Sequence, residues 1–95
     1  MTYIRLSVAR PRKGEEGRLE DLMRRLATLA SEQDGCSASY VLRPHDDSGE
    51  IARIAIYNDE AAAEGAANNQ SVMSLRSEIH LITEPGHQER AFFGV

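Results

Sequence analysis

A single cysteine, no tryptophan and only five aromatic side chains leave this 95-residue chain short of the usual means of stabilising a small fold. One thiol cannot close an internal disulfide, and a solitary Cys36 suits a reducing compartment. No stretch approaches the roughly 20 apolar residues that span a bilayer. Arg5 already interrupts the first apolar run, so the core of a signal peptide is missing as well. There is no basic excess either: 11 Lys and Arg stand against 15 Asp and Glu, giving a net charge of −4. The pI near 5.3 is wrong for gripping phosphate backbones by charge. These absences argue against a membrane span, a disulfide scaffold and a nucleic-acid partner, and they imply a cytoplasmic protein.

Large apolar residues are scarce too. Leu, Ile, Val and Phe number twenty, while Ala alone numbers twelve. That is near the roughly one-fifth level below which disorder sets in, yet the near balance of charge argues against a disordered polyanion. The expectation is one folded domain over residues 1–95 with a thin core. A chain of this length buries only about 60–65% of its unfolded surface, and such scaffolds commonly need a staple, a metal or a second chain. With a disulfide excluded, a partner chain leads.

What is present is a clear change of period along the chain. Thr2 to Arg10 alternates, with Ile4, Leu6 and Val8 on one face and Tyr3, Arg5, Ser7 and Ala9 on the other, which marks a strand. Leu19, Leu22, Met23, Leu26, Leu29 and Ala30 then recur at spacings of three and four, the stripe of an amphipathic helix. Acidic residues at its start suit the helix dipole, and Asp34-Gly35 supplies a stop. A second strand follows over Cys36 to Arg43, with Cys36, Ala38, Tyr40 and Leu42 on one side. Glu50 to Tyr57 makes a third, with Ala52, Ile54 and Ile56 opposite Ile51, Arg53, Ala55 and Tyr57. The polar segment Pro44 to Gly49 joins the two as a hairpin.

Asn58 or Asp59 caps a short alanine-rich helix that ends near Asn68 and Asn69. Ser71 begins another, with Val72, Leu75 and Ile79 inward, and Glu89 to Val95 forms a closing strand. The order is βαββαβ with the second helix interrupted. It predicts an α+β, ferredoxin-like fold: a four-stranded antiparallel sheet with its helices on one face. The other face is too apolar to stay in water, so a homodimer packed sheet to sheet is expected. Alternation alone does not say which strand face meets the helices.

Three segments carry a family resemblance. Ala9-Arg10-Pro11 with Lys13-Gly14, Asp34-Gly35-Cys36 with Tyr40, and Glu50 to Asp59 leading into Glu60-Ala61-Ala62 resemble, in this order and spacing, the antibiotic biosynthesis monooxygenases. That group forms dimeric α/β barrels. The resemblance implies a monooxygenase that uses no cofactor and acts on a small aromatic, quinol or polyketide-like molecule. A non-catalytic small-molecule-binding dimer of the same fold is the alternative. The group's haem-degrading branch uses a His on the helix after strand three, together with an Asn late in strand one. This chain has Ala66 at the first position and only Ser7, Val8, Ala9 and Arg10 at the second. No haem and no metal site is implied.

By the same resemblance Tyr57, standing where the group usually has Trp, lines the pocket, and Arg76 faces the developing negative charge. Tyr57 and Arg76 are thus the catalytic candidates. Arg53, which shares a strand face with Tyr57, joins His80, one turn beyond Arg76, and Tyr40 as a binding candidate. Plainer structural readings stand beside these. Tyr57 reads equally as a rim aromatic with its hydroxyl in solvent, and Arg76 as a solvated helix residue. Arg53 reads as an interface ion-pair partner, and His80 as an imidazole suited to a helix C-terminus. Cys36 reads as a small buried hydrophobe.

Overall fold

The computed structural model describes residues 1–95 and contains seven elements. They are β1 (Tyr3–Ala9), α1 (Glu16–Ser31), β2 (Cys36–Leu42), β3 (Ile51–Tyr57), α2 (Glu60–Ala67), α3 (Gln70–Leu81) and β4 (Gln88–Phe93). The strands form one antiparallel sheet in the order β2-β3-β1-β4. This is the ferredoxin-like α+β arrangement that the element order predicts, with the second helical segment divided in two.

The division has a local cause. The Asp59 carboxylate accepts from the Ala62 backbone N–H at 2.8 Å and starts α2. The Asn69 side-chain oxygen then accepts from Ser71 and Val72 N–H at 2.9 and 3.1 Å and starts α3 anew. α1 ends at Ser31, three residues before the Asp34-Gly35 pair read as its stop. Gly35 does a different job. Its φ of +83° turns the chain into β2, and a Cβ there would lie 2.6 Å from that of Ala62. Only glycine lets the two backbones approach so closely.

Two apolar clusters fill the space between helices and sheet. The larger packs Leu19, Leu22, Met23 and Leu26 of α1 against Ala9, Val72, Ile79 and Ile82. The smaller gathers Tyr3, Ala55, Tyr57, Ala63 and Ala66. In the sheet the face toward the helices is the less hydrophobic one. Tyr3, Ser7, Ala9, Arg53, Ala55 and Tyr57 are buried there. Ile4, Leu6, Val8, Ala52, Ile54 and Ile56 point the other way and are only half-buried, beside the exposed Tyr40, Leu42 and Phe92.

One side chain lies on the other face from its expected neighbours. A bulge between Cys36 and Ala38 pairs Cys36 with Tyr57, and so turns it toward the helices, while Ala38, Tyr40 and Leu42 keep the outer face. Strict alternation had grouped all four together.

Candidate functional site

Strand register assembles the polar interior. Ser7 of β1 pairs with Arg53 of β3 on one side and with Glu89 of β4 on the other, and Arg53 pairs in turn with Val41 of β2. One row across the helix-facing surface therefore reads Val41, Arg53, Ser7, Glu89. Above it, α3 brings down Arg76 and His80 from successive turns, four residues apart and so on the same helix face. His87 enters just before β4.

These side chains enclose a narrow cleft of about 10 Å³, floored by Met23, Leu26 and Ile79. That is close to the volume of a single water-sized sphere. It adjoins a wider chamber of about 300 Å³ that shares Ser7, Arg53, Arg76 and Glu89 and extends to Tyr3 and Arg5. The wide chamber admits a small ring system; the narrow cleft admits one polar atom of it.

Electrostatics distinguish the members. Arg53 is 8% exposed, and its Nη1 is buried without a hydrogen-bond partner. Burial lowers its proton affinity, Tyr57 and Glu89 oppose this, and the neighbouring Arg76 adds to it. A guanidinium nonetheless stays charged at neutral pH. Arg76 is paired: its Nη2 donates to both oxygens of Glu89 at 2.9 and 3.0 Å. The lining of the wide chamber therefore holds an excess of positive charge inside a protein whose net charge is negative.

His87 stacks on His80 with ring centroids 4.8 Å apart and planes 16° from parallel. Neither ring nitrogen of His87 has a hydrogen-bond partner. Burial pushes its pKa below the ordinary imidazole value, Glu89 pulls the other way, and His80 and Arg76 push it down further.

Of the sequence-derived candidates, Arg53, Arg76 and His80 share the narrow cleft. Tyr57 adjoins a separate recess of about 20 Å³ beyond Arg53 and Arg76. It is 4% exposed, so the reading of a rim aromatic with its hydroxyl in solvent is corrected. Burial raises the pKa of its hydroxyl, against the pull of the nearby Arg53 charge. Tyr40 is not with the others. It is 57% exposed, and its pairing with Ile54 puts it on the outer face of the sheet. Ser7, His87 and Glu89 were missed. The signal for Ser7 was its alternation with Arg5 and Ala9 on one strand face; His87 follows Pro85-Gly86 and had no periodic neighbour to mark it.

Cys36 is half-buried, and burial raises its thiol pKa, which leaves it a weak nucleophile. No group of three or more His, Cys, Asp and Glu side chains stands close enough to hold a metal ion, and no helix is long and apolar enough to cross a membrane.

Residues 2–73 match the sequence profile described as antibiotic biosynthesis monooxygenase. The chain belongs to the antibiotic biosynthesis monooxygenase family. No curated protein matches it. Among solved structures it is similar to Rv0793 from Mycobacterium tuberculosis, with a TM-score of 0.91 at 15% identity, covering 100% of this chain and 96% of that one. It is also similar to SnoaB, a cofactor-independent oxygenase from Streptomyces nogalater, with a TM-score of 0.78 at 16% identity over 99% of this chain and 91% of that one. PA3566 from Pseudomonas aeruginosa gives 0.85 at 16% identity, covering 99% and 94%. At these identities the likeness is one of fold. In this member of the antibiotic biosynthesis monooxygenase family the interior cleft opens between sheet and helices, with Arg53 at its centre.

Proposed function

We propose that this chain is an oxygenase of small phenols or quinols that needs neither metal nor flavin. The observation that carries the reading is Arg53: a buried guanidinium with a free N–H, facing a cleft that admits one oxygen atom beside a chamber that admits a ring. A phenol hydroxyl entering the cleft is stabilised as its anion by that charge, and because the cleft has room for about one water-sized group the hydroxyl displaces water from it. The anion is electron-rich enough to reduce dioxygen itself. One C–H and one O–H of the phenol are replaced by two carbonyls, and the second oxygen atom leaves as water, so the substrate supplies all the electrons. The Arg76–Glu89 pair forms the wall between cleft and chamber and positions the ring. The family membership and the cofactor-independent oxygenase among the structural neighbours support the same chemistry.

The functional unit in this reading is a homodimer closed through the apolar outer face of the sheet, which no part of the protomer covers. A cytoplasmic site of action fits the single thiol.

Oxygen uptake with a panel of naphthols and quinols, corrected for uncatalysed oxidation, tests the proposal. Turnover is expected to fall by about 10²–10³-fold in Arg53→Gln, the usual loss on removing one donor to an oxyanion. Binding of the same compounds with no uptake by the wild type overturns the oxygenase reading in favour of a non-catalytic binding protein.

A further inference from the structure

Beside Arg53 the cleft holds a second group that this reading leaves unused. The His87 side chain is 12% exposed, and both its nitrogens are buried without partners. The charged and titratable groups facing it are Arg53 from β3, Arg76 and His80 from α3, and Glu89 from β4. Ser7 of β1 is neutral, and α1 presents only Met23 and Leu26. Glu89 Oε1 lies 3.7 Å from His87 Nε2, beyond hydrogen-bond distance, and is already held by Arg76 at 2.9 Å. The only carboxylate near the imidazole is therefore engaged elsewhere, and the stacked His80 fixes the plane of the ring.

Two unpartnered imidazole nitrogens and an unpartnered guanidinium N–H on one cleft are each unfavourable. A role in packing alone would be filled better by Leu or Phe. One phenolic hydroxyl can meet Arg53 and one nitrogen of His87 together, its oxygen accepting from the guanidinium and its hydrogen donated to the imidazole, because both side chains line the same cleft. We propose that His87 is the catalytic base of this site, taking the proton of the substrate hydroxyl that Arg53 stabilises as an anion. The proposal rests on reading the cleft as a phenol site.

In the step itself the O–H bond breaks, an N–H bond forms on His87, and the electron pair stays on oxygen beside Arg53. In the full oxidation that proton is returned to the oxygen atom leaving as water, which regenerates the imidazole. Burial keeps His87 unprotonated near neutral pH, the form that accepts.

The test uses 2-naphthol as probe and requires no oxidation. The naphtholate absorption band reports ionisation of the bound probe, a weakly buffered solution reports protons released, and ¹⁵N NMR of the imidazoles reports where the proton goes. In the wild type at neutral pH, naphtholate should form with no proton released to solvent, and the His87 nitrogens should move to the imidazolium pattern. In His87→Gln, either the probe should bind un-ionised or each naphtholate formed should release one proton. A wild type that releases a proton for every naphtholate, or whose His87 signals stay those of a neutral ring, overturns the role of His87 and leaves the phenol site standing. Failure of 2-naphthol to bind at all removes the phenol reading and this inference with it.

Discussion

Arg53 is a side chain that the fold tolerates at a cost to its own stability. A buried guanidinium whose Nη1 makes no hydrogen bond, and whose nearby carboxylate Glu89 is held by Arg76, is unfavourable, and residues retained under such a penalty are commonly functional. Arg53→Met, of similar length and without charge, should therefore raise thermal stability, by on the order of 1 kcal/mol, while lowering oxygen uptake and naphtholate formation. Calorimetry and the uptake assay on one preparation check both signs; a loss of stability would mean that Arg53 is satisfied by packing alone.

His87 makes the opposite kind of contribution, one that depends on pH. Its folded pKa lies below the ordinary 6.5, chiefly through burial. Between the two values the unfolded chain binds more protons than the folded one, so stability rises with pH across that window. The contribution is complete above about pH 7 and is lost as pH falls below 6.5 toward the folded value. Chemical denaturation from pH 7.5 down to 5 should show this decline, and His87→Gln should flatten it. Little of this was legible in the sequence. Arg53, Arg76 and His80 could be named, but Ser7 and Glu89 become neighbours of Arg53 only through strand register, which the alternation pattern does not supply.

At the level of elements the sequence was far more informative, because period and capping are local. The stripe from Leu19 to Ala30 is continuous, and the two side-chain caps that divide the last helical segment are single residues with short reach. The bulge at the start of β2 could not be read, since inserting one residue into a strand leaves the composition on either side unchanged. The role of Gly35 was also misplaced, as a helix stop rather than a point of close approach to α2. That approach gives a prediction. Gly35→Ala places a methyl on a backbone at φ +83° and against Ala62, so it should cost more than about 1 kcal/mol. For a domain of this size that lowers the melting temperature by at least roughly 4–8 °C. Asn69→Ala, which removes the cap of α3, should cost about 1 kcal/mol without affecting the β2 turn. If circular dichroism melts rank Asn69→Ala as the more damaging of the two, the close contact is not what fixes glycine at position 35.

The whole molecule reverses the usual sense of its sheet. The face covered by helices carries Arg53, Ser7 and Glu89, whereas the uncovered one carries Ile4, Leu6, Val8, Ala52, Ile54 and Ile56 with Tyr40, Leu42 and Phe92 at its margins. A rule that sends the apolar face inward would have put the helices on the wrong side, and the strand pattern by itself gave no way to choose. The inversion is reasonable if the apolar face is also an interior, and the proposed homodimer would make it one. The melting temperature of the wild type should then rise with protein concentration, and its mass by light scattering should be that of two chains at micromolar concentration. Ile54, flanked across the sheet by Leu6 and Tyr40, lies at the middle of that face. Ile54→Glu leaves the protomer's own clusters intact, because the side chain belongs to neither of them, but it sets a charge in the middle of the proposed dimer interface. The variant should lose the dimer while keeping its helices, and its melting temperature should become independent of concentration. A wild type that stays monomeric, with a melting point unchanged over a hundredfold dilution, would leave nine apolar side chains in water for no physical reason and would require some other partner to cover them.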